Sequence, residues 1–76
     1  MTDIPRSIRW GVIGPGRAAS RFAHGLEAVK QATIAAVWGR NPEGTRSYAD
    51  RFSVPTIAPT LDALLSSDID AVYIAT

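Results

Sequence analysis

The sequence predicts an α/β fold, a Rossmann-type parallel sheet, and three observations predict it. Apolar runs rich in strand formers alternate with stretches whose apolar residues recur every three or four positions, in the order βαβαβαβ. The runs are apolar on both faces, as in strands covered by helices on two sides. A glycine-rich turn, Gly14-Pro15-Gly16, joins the first run to the first amphipathic stretch. Right-handed crossovers leave few windings, and the expected strand order is 3-2-1-4: the first half of a doubly wound sheet plus one strand across its switch point.

Each element has its own signal. Ile8 to Ile13 is mostly apolar and ends at Gly14, which reads as a buried strand. From Arg17 the period changes: Ala19, Phe22, Ala23, Leu26 and Val29 form one face of a helix. Arg17, Ser20, Arg21, His24, Glu27 and Lys30 form the other, and Gly25 weakens the helix by roughly 1 kcal/mol relative to Ala. Thr33 to Trp38 is the second strand, closed by Gly39. Asn41-Pro42 marks a helix start, Asn as N-cap and Pro preorganised for the first helical position. Tyr48, Ala49 and Phe52 supply that helix with its buried stripe. Val54 to Ala58, bounded by Pro55 and Pro59, is a weak third strand. Thr60 caps a third helix through Leu61, Leu64 and Leu65, and Ala71 to Ala75 is the fourth strand.

Composition narrows the function classes. The chain has 76 residues, no cysteine and one histidine, which excludes a disulfide framework, a thiol nucleophile and a Cys-rich zinc site. The formal net charge is +1 with signs interspersed, so no nucleic-acid face or membrane-binding run stands out. No apolar stretch approaches the length of a membrane span, and the first residues lack a signal-peptide core. A cytoplasmic protein is the expectation. The fourth strand has nothing after it to cover or pair it, so residues 1–76 are read as part of a Rossmann-type domain, truncated after that strand.

The first turn reads Gly14-Pro15-Gly16-Arg17-Ala18-Ala19, a G-x-G-x-x-A pattern between a strand and a helix, where a dinucleotide-binding turn belongs. Gly14 permits the tight turn, Gly16 lets a pyrophosphate approach the backbone, and Ala19 keeps helix and strand close. The following helix aims amide N–H groups and the positive end of its dipole at the phosphates. The second strand ends Trp38-Gly39-Arg40-Asn41, with no carboxylate to bind a ribose 2′-hydroxyl as in NAD sites. Arg40 offers a charged planar fork to a 2′-phosphate, which predicts a preference for NADP over NAD. A side chain at Gly39 would crowd that phosphate. Asn41 has two jobs open to it, capping the second helix and donating to the same phosphate, with capping the leading one. Arg17 lies over the adenine, near the phosphates or on the helix surface. His24 reads as solvated, Trp10 and Tyr73 as core residues.

Three segments, Trp10 to Ala19, Val37 to Pro42 and Asp68 to Thr76, resemble the N-terminal domain of the glucose–fructose oxidoreductase, inositol dehydrogenase and rhizopine-catabolism (Gfo/Idh/MocA) family. The resemblance runs from about Ile8 to Thr76. It implies an NAD(P)-dependent dehydrogenase or reductase acting on sugars, cyclitols and related polyols. It also implies a second, larger α/β domain and a homo-oligomeric full-length protein. Gly14, Pro15, Gly16, Arg17 and Ala18 would line the dinucleotide, Gly39, Arg40 and Asn41 the adenosine ribose or its phosphate, and Ala75 and Thr76 the switch point. The Gly-Arg ending looks like that of NADP-using members. Ala18 departs from the family, which usually has an aliphatic residue such as Ile there. The catalytic lysine of the family's Glu-Lys-Pro motif lies beyond Thr76, Lys30 is no substitute, and no residue of this chain is expected to be catalytic or to bind metal. A different class of function, a non-catalytic dinucleotide-binding sensor or regulatory module, is the alternative.

Overall fold

The computed structural model describes residues 8–29 and 31–75. Lys30 and Thr76, each named above, lie outside the described residues. The elements follow the expected order: β1 (Ile8–Ile13), α1 (Arg17–Leu26), β2 (Ala32–Trp38), α2 (Pro42–Phe52), β3 (Thr56–Ile57), α3 (Leu61–Leu65) and β4 (Ala71–Ile74). The strands form one parallel sheet in the order β3-β2-β1-β4, as the alternation of periods predicts.

Two apolar layers hold the sheet. On one face Val12, Ile34 and Val37 pack against Ala19 and Ala23 of α1 and Tyr48 of α2. On the other, Ile13 and Ala36 pack against Leu64 of α3. The β1–β2 register slips once, because Trp10 pairs with Ile34 but Gly11 with Ala36. Ala35 is therefore an extra residue, and such a bulge changes which side chains beyond it face which layer. Its consequence is that Trp38 joins the α3 layer. Gly11 is required by packing: a Cβ there would stand 2.6 Å from Ile69 Cδ1. Phe22 of α1 stacks on Tyr73 of β4 at 4.2 Å between centroids and meets Trp10 edge-on at 4.9 Å. Trp10 and Tyr73 are thus half-buried members of an aromatic bridge between helix and sheet.

Several features differ from the sequence reading. Helix α1 stops at Leu26, and Val29 is exposed in the turn that follows, where Ala28 and Val29 donate to the carbonyls three residues back. The third strand shrinks to Thr56–Ile57, since Pro55 and Pro59 each lack a backbone N–H for the ladder. Of the three leucines of α3, Leu64 alone is buried; Leu61 and Leu65 are exposed. Strand β4 ends one residue early, although the Ala75 N–H still donates to the Ile13 carbonyl at 2.9 Å. Among the described residues no helix is long and apolar enough to cross a membrane.

Candidate functional site

The C-terminal ends of β1, β2 and β4 meet at one side of the sheet, which is where parallel α/β folds place ligands. Gly14 leaves β1 with φ 86°, a conformation that glycine adopts at low cost. Its N–H donates to the Trp38 carbonyl at 2.8 Å, tying the turn to the end of β2.

The three helices begin differently. At α2, Asn41 Oδ1 accepts from the N–H groups of Glu43 (3.0 Å) and Gly44 (3.2 Å). At α3, Thr60 Oγ1 accepts from Ala63 N–H at 3.0 Å. The N-cap of α1 is Gly16, and no side chain caps this helix. A Cβ on Gly16 would meet nothing within 4 Å. The first-turn amides of α1 therefore face open space with the positive end of the helix dipole behind them, an arrangement suited to an anion.

A cavity of about 760 Å³ lies at these strand ends. Ile13, Gly14 and Pro15 line one side, Trp38, Arg40 and Asn41 a second, and Leu61, Ile74 and Ala75 a third. Among the described residues no carboxylate lines it. Arg40 is exposed and, among the described residues, forms no ion pair. Gly16 and Arg17 open instead onto a neighbouring groove between α1 and α2, which shares Pro15 and Gly44 with this cavity. Together these groups offer backbone donors for a diphosphate and a guanidinium for a further phosphate, with apolar surface beside them.

Not every expected site residue falls here. Ala18 is exposed on α1 and lines neither space, and Thr76 lies outside the described residues. Gly39 is required, but by its neighbours: a Cβ there would collide with the Pro15 ring and stand 2.5 Å from Thr45 Oγ1. Sequence reasoning missed Leu61 as a lining residue, because a leucine after a cap reads as core. Asn41 caps its helix as expected. His24 sits on the outer face of α1, 3.7 Å from Glu27 and edge-on to Phe52. Among the described residues no group of His, Cys, Asp or Glu is arranged to hold a metal ion.

Comparison with known proteins agrees with this geometry. Residues 8–76 match the family model of Gfo/Idh/MocA, an oxidoreductase family with an NAD-binding Rossmann fold. The chain is 36% identical over 69 residues to the uncharacterized oxidoreductase YgjR of Escherichia coli, covering 90% of this chain and 21% of that protein. Biliverdin reductase from Synechocystis, solved with biliverdin and NADP+, is 33% identical with a TM-score of 0.82, over 91% of this chain and 22% of that one. The WlbA dehydrogenase from Chromobacterium violaceum, solved with NADH and UDP-GlcNAcA, is 28% identical with a TM-score of 0.80, over 100% and 24%. The chain spans about a fifth to a quarter of the length of these relatives.

Proposed function

The chain belongs to the Gfo/Idh/MocA oxidoreductase family, and from that premise we propose that it forms the NADP(H)-binding part of an enzyme transferring hydride to or from a sugar, polyol or related carbonyl or secondary alcohol. The observation that carries the reading is the helix start left without a side-chain cap, beside a cavity where, among the described residues, no carboxylate lines the wall and Arg40 forms no ion pair. When bound, NADP(H) supplies or accepts the hydride. The residues of this chain bind and orient it. The amides after Gly16 hold the diphosphate, and Gly14 and Pro15 set the turn that presents them. Arg40 holds the 2′-phosphate, and Ala75 lies where the sheet meets the nicotinamide half.

The fit to NADP(H) rests on charge. One relative was solved with NADP+ and another with NADH, so the family alone does not decide the cofactor. A carboxylate at the end of β2 would favour NADH; Arg40 favours the extra phosphate. The sugar-type substrate is supported by the UDP-GlcNAcA of the WlbA structure, while the biliverdin of the other relative marks the breadth of the fold's chemistry. These 76 residues are the N-terminal part of a longer, two-domain polypeptide, a reading supported by the length of the relatives. The substrate-binding and acid–base groups then belong to its other domain.

Tryptophan fluorescence gives the test, because Trp38 lines the cavity. Parallel titrations of the intact protein with NADPH and NADH are expected to show saturable quenching at lower NADPH concentration. A charge-assisted hydrogen bond contributes roughly 1.5–3 kcal/mol, so Arg40→Gln should cost about one to two decades of NADPH affinity and leave NADH nearly unchanged. Equal responses of the wild-type protein to both cofactors would remove the 2′-phosphate assignment.

A further inference from the structure

Thr45 of α2 is 2% exposed and lines neither the cavity at the strand ends nor the groove between α1 and α2. A buried hydroxyl costs free energy unless it is bonded, whereas valine fills the same space with no polar group. The Thr45 hydroxyl donates to the Asn41 carbonyl at 2.8 Å. That carbonyl already accepts the Thr45 N–H at 2.9 Å, the ordinary helical bond, so the helix does not need the hydroxyl to satisfy it. The same oxygen closes one side of Gly39, standing 2.5 Å from where a Cβ would be, and the Pro15 ring closes another. One side chain thus holds the backbone on both sides of Arg40, packing on Gly39 and bonding to Asn41. The residue before Gly39 is held as well, since the Trp38 carbonyl accepts from the Gly14 N–H at 2.8 Å. Arg40 itself is exposed and, among the described residues, forms no ion pair, so its backbone is what aims it.

We infer that Thr45 is a positioning residue for cofactor selectivity, its hydroxyl fixing the turn that aims Arg40 at the 2′-phosphate. This role rests on the assignment of that phosphate to Arg40 and adds to it a residue that touches no cofactor. Binding groups discriminate well only when the structure behind them is held to within about 0.5 Å. Valine at this position preserves the packing against Gly39 and Pro15 and deletes only the second bond to the Asn41 carbonyl. The Gly39–Asn41 turn then has more freedom, and Arg40 with it. The diphosphate, held by the amides of α1, is indifferent to that freedom. NADH lacks the 2′-phosphate, so its binding is indifferent too.

Fluorescence titrations of the intact protein with NADPH and NADH give the test, on wild type, Thr45→Val, Thr45→Ser and Arg40→Gln. Thr45→Val is expected to lose about three- to tenfold in NADPH affinity, the scale of one net hydrogen bond, and to bind NADH as the wild type does. Thr45→Ser keeps the hydroxyl and should keep the wild-type ratio of the two affinities. Placed on Arg40→Gln, Thr45→Val should cost nothing further, because residues that act through one another are not additive. If Thr45→Val does not keep the wild-type circular-dichroism spectrum, Thr45→Ala removes the same hydroxyl without adding bulk and carries the test. A hydroxyl that serves the fold alone would lower both affinities together or neither. Either result overturns the role, and so does an additive loss in the double variant or a Thr45→Ser protein that loses its selectivity. Failure of the cofactor reading is seen in the wild type instead. Equal affinities there remove the 2′-phosphate from Arg40 and this role with it, whereas a selective wild type beside an equally selective Thr45→Val removes the role alone.

Discussion

Tyr48 shows how one side chain couples the helices behind the site. Its ring is buried between the sheet and α1, and its hydroxyl donates to the Ala19 carbonyl, just past the glycine turn. Burial pushes its pKa up to about 12, with the charge of Tyr73 adding to the effect. The fold therefore favours the neutral phenol, whereas the unfolded chain loses that proton near pH 10. Between these values the unfolded state binds fewer protons than the folded one, so stability declines as pH rises. The contribution is whole below about pH 10 and is lost between about pH 10 and about 12. Tyr48→Phe keeps the ring and deletes the hydroxyl, at a cost of about 0.5–1.5 kcal/mol at neutral pH. Urea midpoints of wild type and variant should differ at pH 7 and draw together as pH is raised through that window. Parallel curves would mean that the hydroxyl is not held as described.

At the scale of elements, the contrast between helix starts is the informative feature. Asn41 and Thr60 spend their side chains on capping α2 and α3, while α1 begins at a glycine. Two substitutions should therefore act in opposite senses. Asn41→Ala removes a cap and should lower stability by about 1 kcal/mol. Gly16→Asp supplies one, and since Gly16 is extended and its Cβ position is open, the aspartate should hold or raise stability by a few tenths of a kcal/mol. The same carboxylate should weaken NADPH binding by about tenfold or more, through repulsion and by occupying the amides. Thermal melts and cofactor titrations of both variants check the pair; a Gly16→Asp protein that binds NADPH normally would move the diphosphate elsewhere. The start of each helix was legible in the sequence because caps and turn glycines are local chemistry. The ends were less so: the apolar period of α1 continues to Val29, but the chain leaves the helix after Leu26, next to Gly25. Gly39 was legible as a necessary glycine while its cause was not. Pro15 and Thr45, which forbid a side chain there, come from the glycine turn and from α2 and meet it only once the elements pack together. Leu61 and the groove between α1 and α2 were hidden for the same reason, as surfaces shared between elements that no single period describes.

Across the whole molecule the parallel sheet separates two tasks by its two ends. The C-terminal strand ends carry the glycine turn, Arg40 and the cavity. The opposite end is fastened by Arg9. Its N–H donates to Asp70 Oδ2 at 2.9 Å, its carbonyl accepts from Asp70 N–H at 2.7 Å, and its guanidinium pairs with Asp68 and Asp70. These contacts join the start of β1 to the segment entering β4, the pairing that spans the switch point. Hydrogen bonding to Asp70 and the charge of Asp68 raise the already high pKa of Arg9, so the clamp stays cationic wherever the protein is folded. Being exposed to solvent, it is screened by salt. Arg9→Ala should accordingly lower the urea midpoint at low ionic strength, by an amount that shrinks in concentrated salt. NADPH affinity should remain at the wild-type value, because the guanidinium lies at the far end of the strands from the cavity. If affinity fell together with stability, the register of β1 against β4 would be what sets the site, since Ile13 and Ile74, paired at the other end of the same ladder, both line the cavity. The salt series separates these cases. A loss of affinity that salt leaves untouched points to a displaced strand, whereas one that salt reproduces in the wild type points to the charge itself.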